Sequence, residues 1–272
     1  MQTLAFHPIR WRLLLPIAIA IVAVAILAKH GPIPQESSYH DFADQRTLLG
    51  IPHFWDVISN LPFLVAGIVG FRAVRDKPSG LLPELRVAYT IFFFACALLA
   101  FGSGYYHLQP NNDRLMWDHL PMAIGFMAFF AAIVGEHISL RAARVAITPL
   151  IAWGSFSVLW WRVTEANGHG DLRLYIAVQF LPMLLIPVII ALFPSRLTRV
   201  GYVGAVMLWY ALAKILELCD QRVYELSGVV SGHTLKHLAS AVAMFVVIRA
   251  LRRRTVVEKA STIVPAVVEG LP

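Results

Sequence analysis

The stretch FGSGYYHLQPNNDRLMWDHLPM, residues 101–122, decides how this chain folds. An apolar run enters it, a short polar loop interrupts it and a second apolar run leaves it, the pattern of two long helices meeting at a turn. Ser103 and His107 stand four apart, so on a continuing helix they share a face, one turn above the other. Asp118 opens the run after the loop. A second fragment, SGHTLKHLASA at 231–241, sets His233 and His237 four apart at the start of the last apolar run. That interval also puts both imidazoles on one helical face.

Outward from these fragments, the composition fixes the solvent. The chain is 58% hydrophobic and 14% charged over 272 residues, which leaves too little polar surface to clothe a soluble globule of this size. The expectation is an all-α integral membrane protein. Runs long enough to span about 30 Å of hydrocarbon fall at about 11–28, 56–74, 87–107, 117–136, 143–161, 172–193, 200–218 and 233–251. The connections are short and no tract is rich enough in Pro or Ser to act as a linker. One helical domain follows. Cys96 and Cys219 are the only cysteines, too few for a disulfide framework or a thiolate metal site.

The net charge of +7 does not point to nucleic acid, because the basic residues sit in short clusters between apolar runs, as topology signals do. Arg10 and Arg12, Arg72 to Arg86, Arg141 and Arg144, Arg196 and Arg199, and Arg249 to Lys259 alternate with poorly charged connections. By the positive-inside rule both termini are cytoplasmic. Trp55, Trp117, Trp160 and Trp161 are then expected near the outer interface and Trp11 near the inner one. The first run has two readings, an uncleaved anchor or a signal peptide, since Arg10 and Arg12 precede it and Ala-Val-Ala stands at 23–25. Residues 29–55 lie outside either way, and 252–272 form a cytoplasmic tail. This topology places Ser103, His107, Asp118, His233 and His237 at one membrane face, the outer.

Polar residues at membrane depth are costly, and those that persist tend to face the bundle and serve a function. An i, i+4 His pair is a chelating arrangement, also used in H-E-x-x-H helices, although Thr234 stands where that motif has Glu. Three His ligands leave one tetrahedral position open, the pattern of catalytic zinc, whereas a structural zinc is closed by a fourth protein ligand. Asp118 is placed to carry a proton, and Ser103 to hydrogen-bond an oxyanion or water. Gly102 and Gly104 give Ser103 a competing role in close helix approach. His53 and His119 are alternative ligands, though His119 is turned about 100° from Asp118 on an ideal helix. His40 and His169 are expected in solvated loops, Asn60 as a hydrogen bond within the bundle, and Lys214 with Glu217 as a pair within a span, Asp220 one turn on.

These motifs carry a resemblance. FWDVISNL at 54–61, GSGYYH at 102–107, WDHLPM at 117–122 and HTLKH at 233–237 are similar to the alkaline ceramidases, and more widely to the seven-helix membrane hydrolases grouped with the progestin and adiponectin receptors. The resemblance spans roughly residues 39–251. It implies a seven-helix catalytic bundle over 56–251, with 1–28 as an extra N-terminal helix or removed signal. It implies zinc on His107, His233 and His237, with Asp118 and Ser103 at the reacting water. The substrate implied is a ceramide-like N-acyl lipid from the bilayer, cleaved at its amide to a fatty acid and a sphingoid-type amine. Calcium belongs to the family pattern too, in an acidic stretch before the first core helix. Here that stretch reads DFADQRT, which keeps Asp41 and Asp44 but sets Arg46 beside them, an adverse charge for a hard cation.

Three other readings compete. A lipid-binding receptor or sensor would use the same zinc structurally. A rhomboid-like protease built on Ser103 would leave the His pair unused, and His233 and His237, sharing one face, cannot clasp a haem from both sides.

Overall fold

The computed structural model describes residues 9–257, and the side chains of residues 11–257. Lys259, the remainder of the expected tail at 258–272 and the side chain of Arg10 lie outside the described residues. Ten α-helices make up the fold: α1 (Ile9–His30), α2 (Phe54–Ile58), α3 (Leu61–Arg75), α4 (Arg86–Leu108), α5 (Asn112–His137), α6 (Leu140–Ala166), α7 (Arg173–Leu192), α8 (Tyr202–Leu218), α9 (Asp220–Ser227) and α10 (Gly232–Arg253). Each expected span falls on a helix. Seven are long and apolar enough to cross a membrane alone. The eighth is broken: α8 bends by 77° into α9. The chain is a multi-pass α-helical membrane protein. Its lipid-facing surface carries side chains such as Val145, Phe94 and Leu208, all exposed.

In lipid every backbone N–H and C=O must be met within the protein, so helix ends have to be capped by the chain itself. Asn111 and Ser231 do this by accepting from the N–H of Arg114 and Thr234, at 2.9 and 3.0 Å. Ser139 caps α6 in the same way. At the C-terminal end of α4, Pro110 biases Gln109 away from helical dihedrals, and Gln109 leaves the helix there with φ −160° and ψ 87°. The loop after residue 108 is therefore tight, and His107 and Asp118 stay at the same end of neighbouring helices.

Helix α4 packs along α5 and α3, α5 along α6 and α7, and α10 along α8 and α3, while α1 rests on the outside of α7. Helix α1 has few buried residues, as befits a helix surrounded by lipid. Away from the site, a buried ion pair locks the bundle. Arg254 donates to Glu136 at 2.8 Å and to the Gly80 carbonyl at 2.9 Å. Glu136 also accepts from Tyr89 and Tyr202, at 2.6 and 3.1 Å. Two aromatic hydroxyls and an ion pair thus satisfy one another where water is scarce.

Trp161 departs from the interfacial belt expected for it. It is fully buried, facing the bundle beside His119 at a ring separation of 5.4 Å. Trp55, Trp117 and Trp160 remain at least partly exposed.

Candidate metal centre

Helix α4 brings His107, and the first two turns of α10 bring His233 and His237, to one buried point near the end of the bundle. One ligand atom from each lies within 4.8 Å of the others. His107 Nε2 and His233 Nε2 face each other at 3.2 Å. Two nitrogens about 2.0–2.1 Å from a tetrahedral ion are about 3.3 Å apart, so the spacing suits zinc. All three rings are nearly inaccessible to solvent, at 1%, 4% and 3% exposure.

His237 shows how the tautomer is set. Ser59 Oγ lies 2.7 Å from His237 Nδ1 and donates its one hydrogen to the Asp56 carbonyl at 3.2 Å. In that arrangement Nδ1–H is the donor to Ser59 and the lone pair stands on Nε2, the tautomer that ligation through Nε2 requires. Asp56 in turn accepts from Thr234 at 2.7 Å and from Ser231 at 3.3 Å, tying α2 to the start of α10. Its Oδ2 meets no hydrogen-bond partner among the described residues. Phe42, from the segment before α2, lays its ring against His107 and His233 at 4.7 and 4.4 Å and shields them from water.

Two close approaches fix the helices that carry the site. Pro121 within α5 lacks the N–H that would bond the Trp117 carbonyl, leaving that oxygen without its helical partner. Helix α4 presses Gly102 against this same carbonyl, so closely that a Cβ at 102 has no room. Gly104 faces open space, so only one of the two glycines serves helix approach. Gly232 likewise presses on the α8–α9 bend, where a Cβ would meet the Leu216 carbonyl. At that bend Asp220 accepts from His233 N at 2.7 Å and from Ala43 N at 2.9 Å, so it anchors two backbone segments instead of continuing the α8 face.

Ser103, Asp118 and His237 line one cavity of about 150 Å³. Its remaining walls are largely apolar, among them Phe92, Phe129, Met183 and Val247. Met183 of α7 and Val206 of α8 both border it. The residues read as a site from sequence thus come together: His107, His233 and His237 at the ligand point, Ser103 and Asp118 beside it.

The alternatives do not. His119 stacks on Tyr175 with ring centroids 4.2 Å apart. His53 sits outside the triad, Nδ1 3.3 Å from the Asp44 carbonyl. His40 is not loop decoration, because its two ring nitrogens meet Tyr106 Oη and Asn112 Oδ1, each at 2.8 Å, and brace the segment before α2 onto α4 and α5. His169 is exposed, as expected. Asn60 does bond within the bundle, to the Asp56 carbonyl at 2.7 Å. Lys214 pairs with Glu217, and Glu217 also holds Lys236 at 2.7 Å.

Calcium does not fit. Asp44 is spent on Arg46, which grips both its oxygens at 2.8 and 2.7 Å and stacks over Tyr224, while Asp41 points to solvent. Burial alone would raise the Asp44 pKa, but the hydrogen bonds and charge of Arg46 hold it below the ordinary carboxylate range. The guanidinium already occupies the role a cation would take. Comparison with protein-family models, curated proteins and solved structures returns no match to the chain, and the site stands on its own geometry.

Proposed function

We propose that the protein is a zinc-dependent intramembrane amidase that cleaves a long-chain N-acyl lipid to a fatty acid and an amine lipid. What carries the reading is a buried triad of imidazoles whose ligand atoms lie within 4.8 Å of one another, with His237 lining the same cavity as a carboxylate and a hydroxyl. The alkaline-ceramidase-like motifs at 102–107, 117–122 and 233–237 support it, because they fall on these residues.

Bound to the triad, zinc would supply Lewis acidity and bring the pKa of water to about 7. In the reaction the amide C–N bond breaks, the acyl carbon gains hydroxyl and the nitrogen gains a proton. Asp118 takes a proton from the attacking water at its carboxylate and delivers it to the departing nitrogen. Ser103 hydrogen-bonds the carbonyl oxygen as negative charge grows on it. Phe42 and the closed bundle keep bulk water from the triad, and the acyl chain lies in the cavity, reached from the bilayer between α7 and α8. The site faces the outer side if Lys and Arg set the topology.

The test is hydrolysis of N-acyl lipids by purified protein in detergent, with metal analysis alongside. The expected result is one zinc per chain, lost with His233→Ala, and activity that falls at least about a hundredfold in Asp118→Asn with zinc retained. Zinc retention with full activity in Asp118→Asn rejects the mechanism. Zinc without turnover of any N-acyl lipid favours a receptor or sensor.

A further inference from the structure

The motif HTLKH places Lys236 between the two histidines of α10, its side chain only 15% exposed, although nothing in the triad needs its ammonium. Lys236 lines the cavity beside Asp118 and His237. Of its three N–H groups, one is given to Glu217 at 2.7 Å, and a second approaches His233 Nε2 at 3.4 Å. That lone pair is the one His233 turns toward the ligand point, so a bound ion removes it as an acceptor. Glu217 is shared with Lys214, and no ion pair joins Lys236 to Asp118. The ammonium thus keeps donor capacity on the cavity side. Across the cavity stands Tyr210, on the same face of α8 as Lys214 and Glu217. Its hydroxyl is buried and meets no hydrogen-bond partner among the described residues. Buried donors without partners are rare in folded proteins, and here two polar groups converge on an otherwise apolar chamber.

We propose that Lys236 is a specificity-determining residue that holds an anionic headgroup, so that the lipid taken by this cavity carries a carboxylate beside its amide: an N-acyl amino acid lipid instead of a neutral ceramide-like one. This deepens the amidase reading and rests on it for the amide. The carboxylate accepts from the Lys236 ammonium and the Tyr210 hydroxyl, the acyl chain runs toward Met183 and Val247, and the amide between them lies at the level of Ser103 and Asp118. A neutral headgroup of the same size would keep the Glu217 pair but give the remaining N–H of the ammonium no charged acceptor on the cavity side.

The experiment compares two probes that share chain and amide and differ only in charge, N-palmitoylglycine and N-palmitoylethanolamine. Binding to full-length protein as purified, in detergent, is read by the initial displacement of a fluorescent fatty-acyl probe, a readout that does not depend on turnover. The expected result is about tenfold tighter binding of the glycine conjugate, the scale of a charge-assisted hydrogen bond. Lys236→Met should bring the two to parity, Lys236→Arg should keep the preference, and Tyr210→Phe should weaken it by a few-fold. Equal binding of both probes to the wild type overturns the proposal whatever the variants do, and so does a preference that survives Lys236→Met in protein of unchanged melting temperature. Hydrolysis separates the two readings. A charge preference without turnover of either probe leaves the anion site standing and removes the amidase. Efficient turnover of the ethanolamide with no charge preference does the reverse.

Discussion

Ser59 is the residue on which the ligand set turns, although it is not itself a ligand. Its Oγ lies 2.7 Å from His237 Nδ1, where it can accept the Nδ1–H that a ligating Nε2 requires. Partners of this kind are worth about 10–100-fold in metal affinity. Ser59→Ala should therefore weaken zinc about tenfold or more in competition with a chromophoric chelator, while the helical circular dichroism stays unchanged. An unaltered affinity would show that the ring is held by its packing against Phe63 alone. At this scale the sequence was partly legible. The His-x3-His interval announces a shared face because helix periodicity is local. Ser59 and Asp56 carry no such interval, since they reach α10 across 178 and 175 positions, so only the folded chain shows what they hold.

Among the elements, α4 and α5 are held in register by a matched pair of irregularities. Pro121 frees the Trp117 carbonyl and Gly102 gives it space, and the residue after Trp117 is Asp118. Gly102→Ala has to push the two helices apart at the level of the site, whereas Gly104→Ala meets nothing within 4 Å. The expectation is that Gly102→Ala lowers the melting temperature by several degrees and cuts hydrolysis more than tenfold, overpacking costing about 1–3 kcal/mol. Gly104→Ala should leave both within error, and equal effects of the two would disprove the close approach. The sequence suggested small-residue packing for both glycines. Period alone could not tell them apart, because one presses on α5 and the other faces open space. The bend between α8 and α9 was likewise hidden, since hydropathy reads the length of a run and not its direction. It is this bend that lets Asp220 turn to the His233 amide.

For the whole molecule, the two ends of the bundle are built for different ends. The far end is closed by Glu136, Arg254, Tyr89 and Tyr202, none of which lines the cavity of the site. Removing one partner of a buried pair strands the other charge, at a cost of about 3–5 kcal/mol. Glu136→Gln should thus lower thermal stability sharply without changing zinc affinity in the fraction that remains folded, measured by melting and by chelator competition in parallel. Loss of zinc affinity with unchanged melting would show the two ends to be coupled in the opposite sense.

The sequence by itself determined the solvent, the helical class, the position of every span and the five residues at one end of the bundle, because hydrophobic length, helix period and charge bias are properties of short stretches. What the tertiary structure alone decided is which polar side chains meet: Ser59 on His237, Arg46 in the place of a cation, Trp161 turned inward, and Lys236 on Glu217 at the cavity wall. Those choices depend on how separate helices are rotated and spaced against each other. That arrangement is set by packing and by the need to satisfy each buried polar group, conditions that act across the whole chain at once.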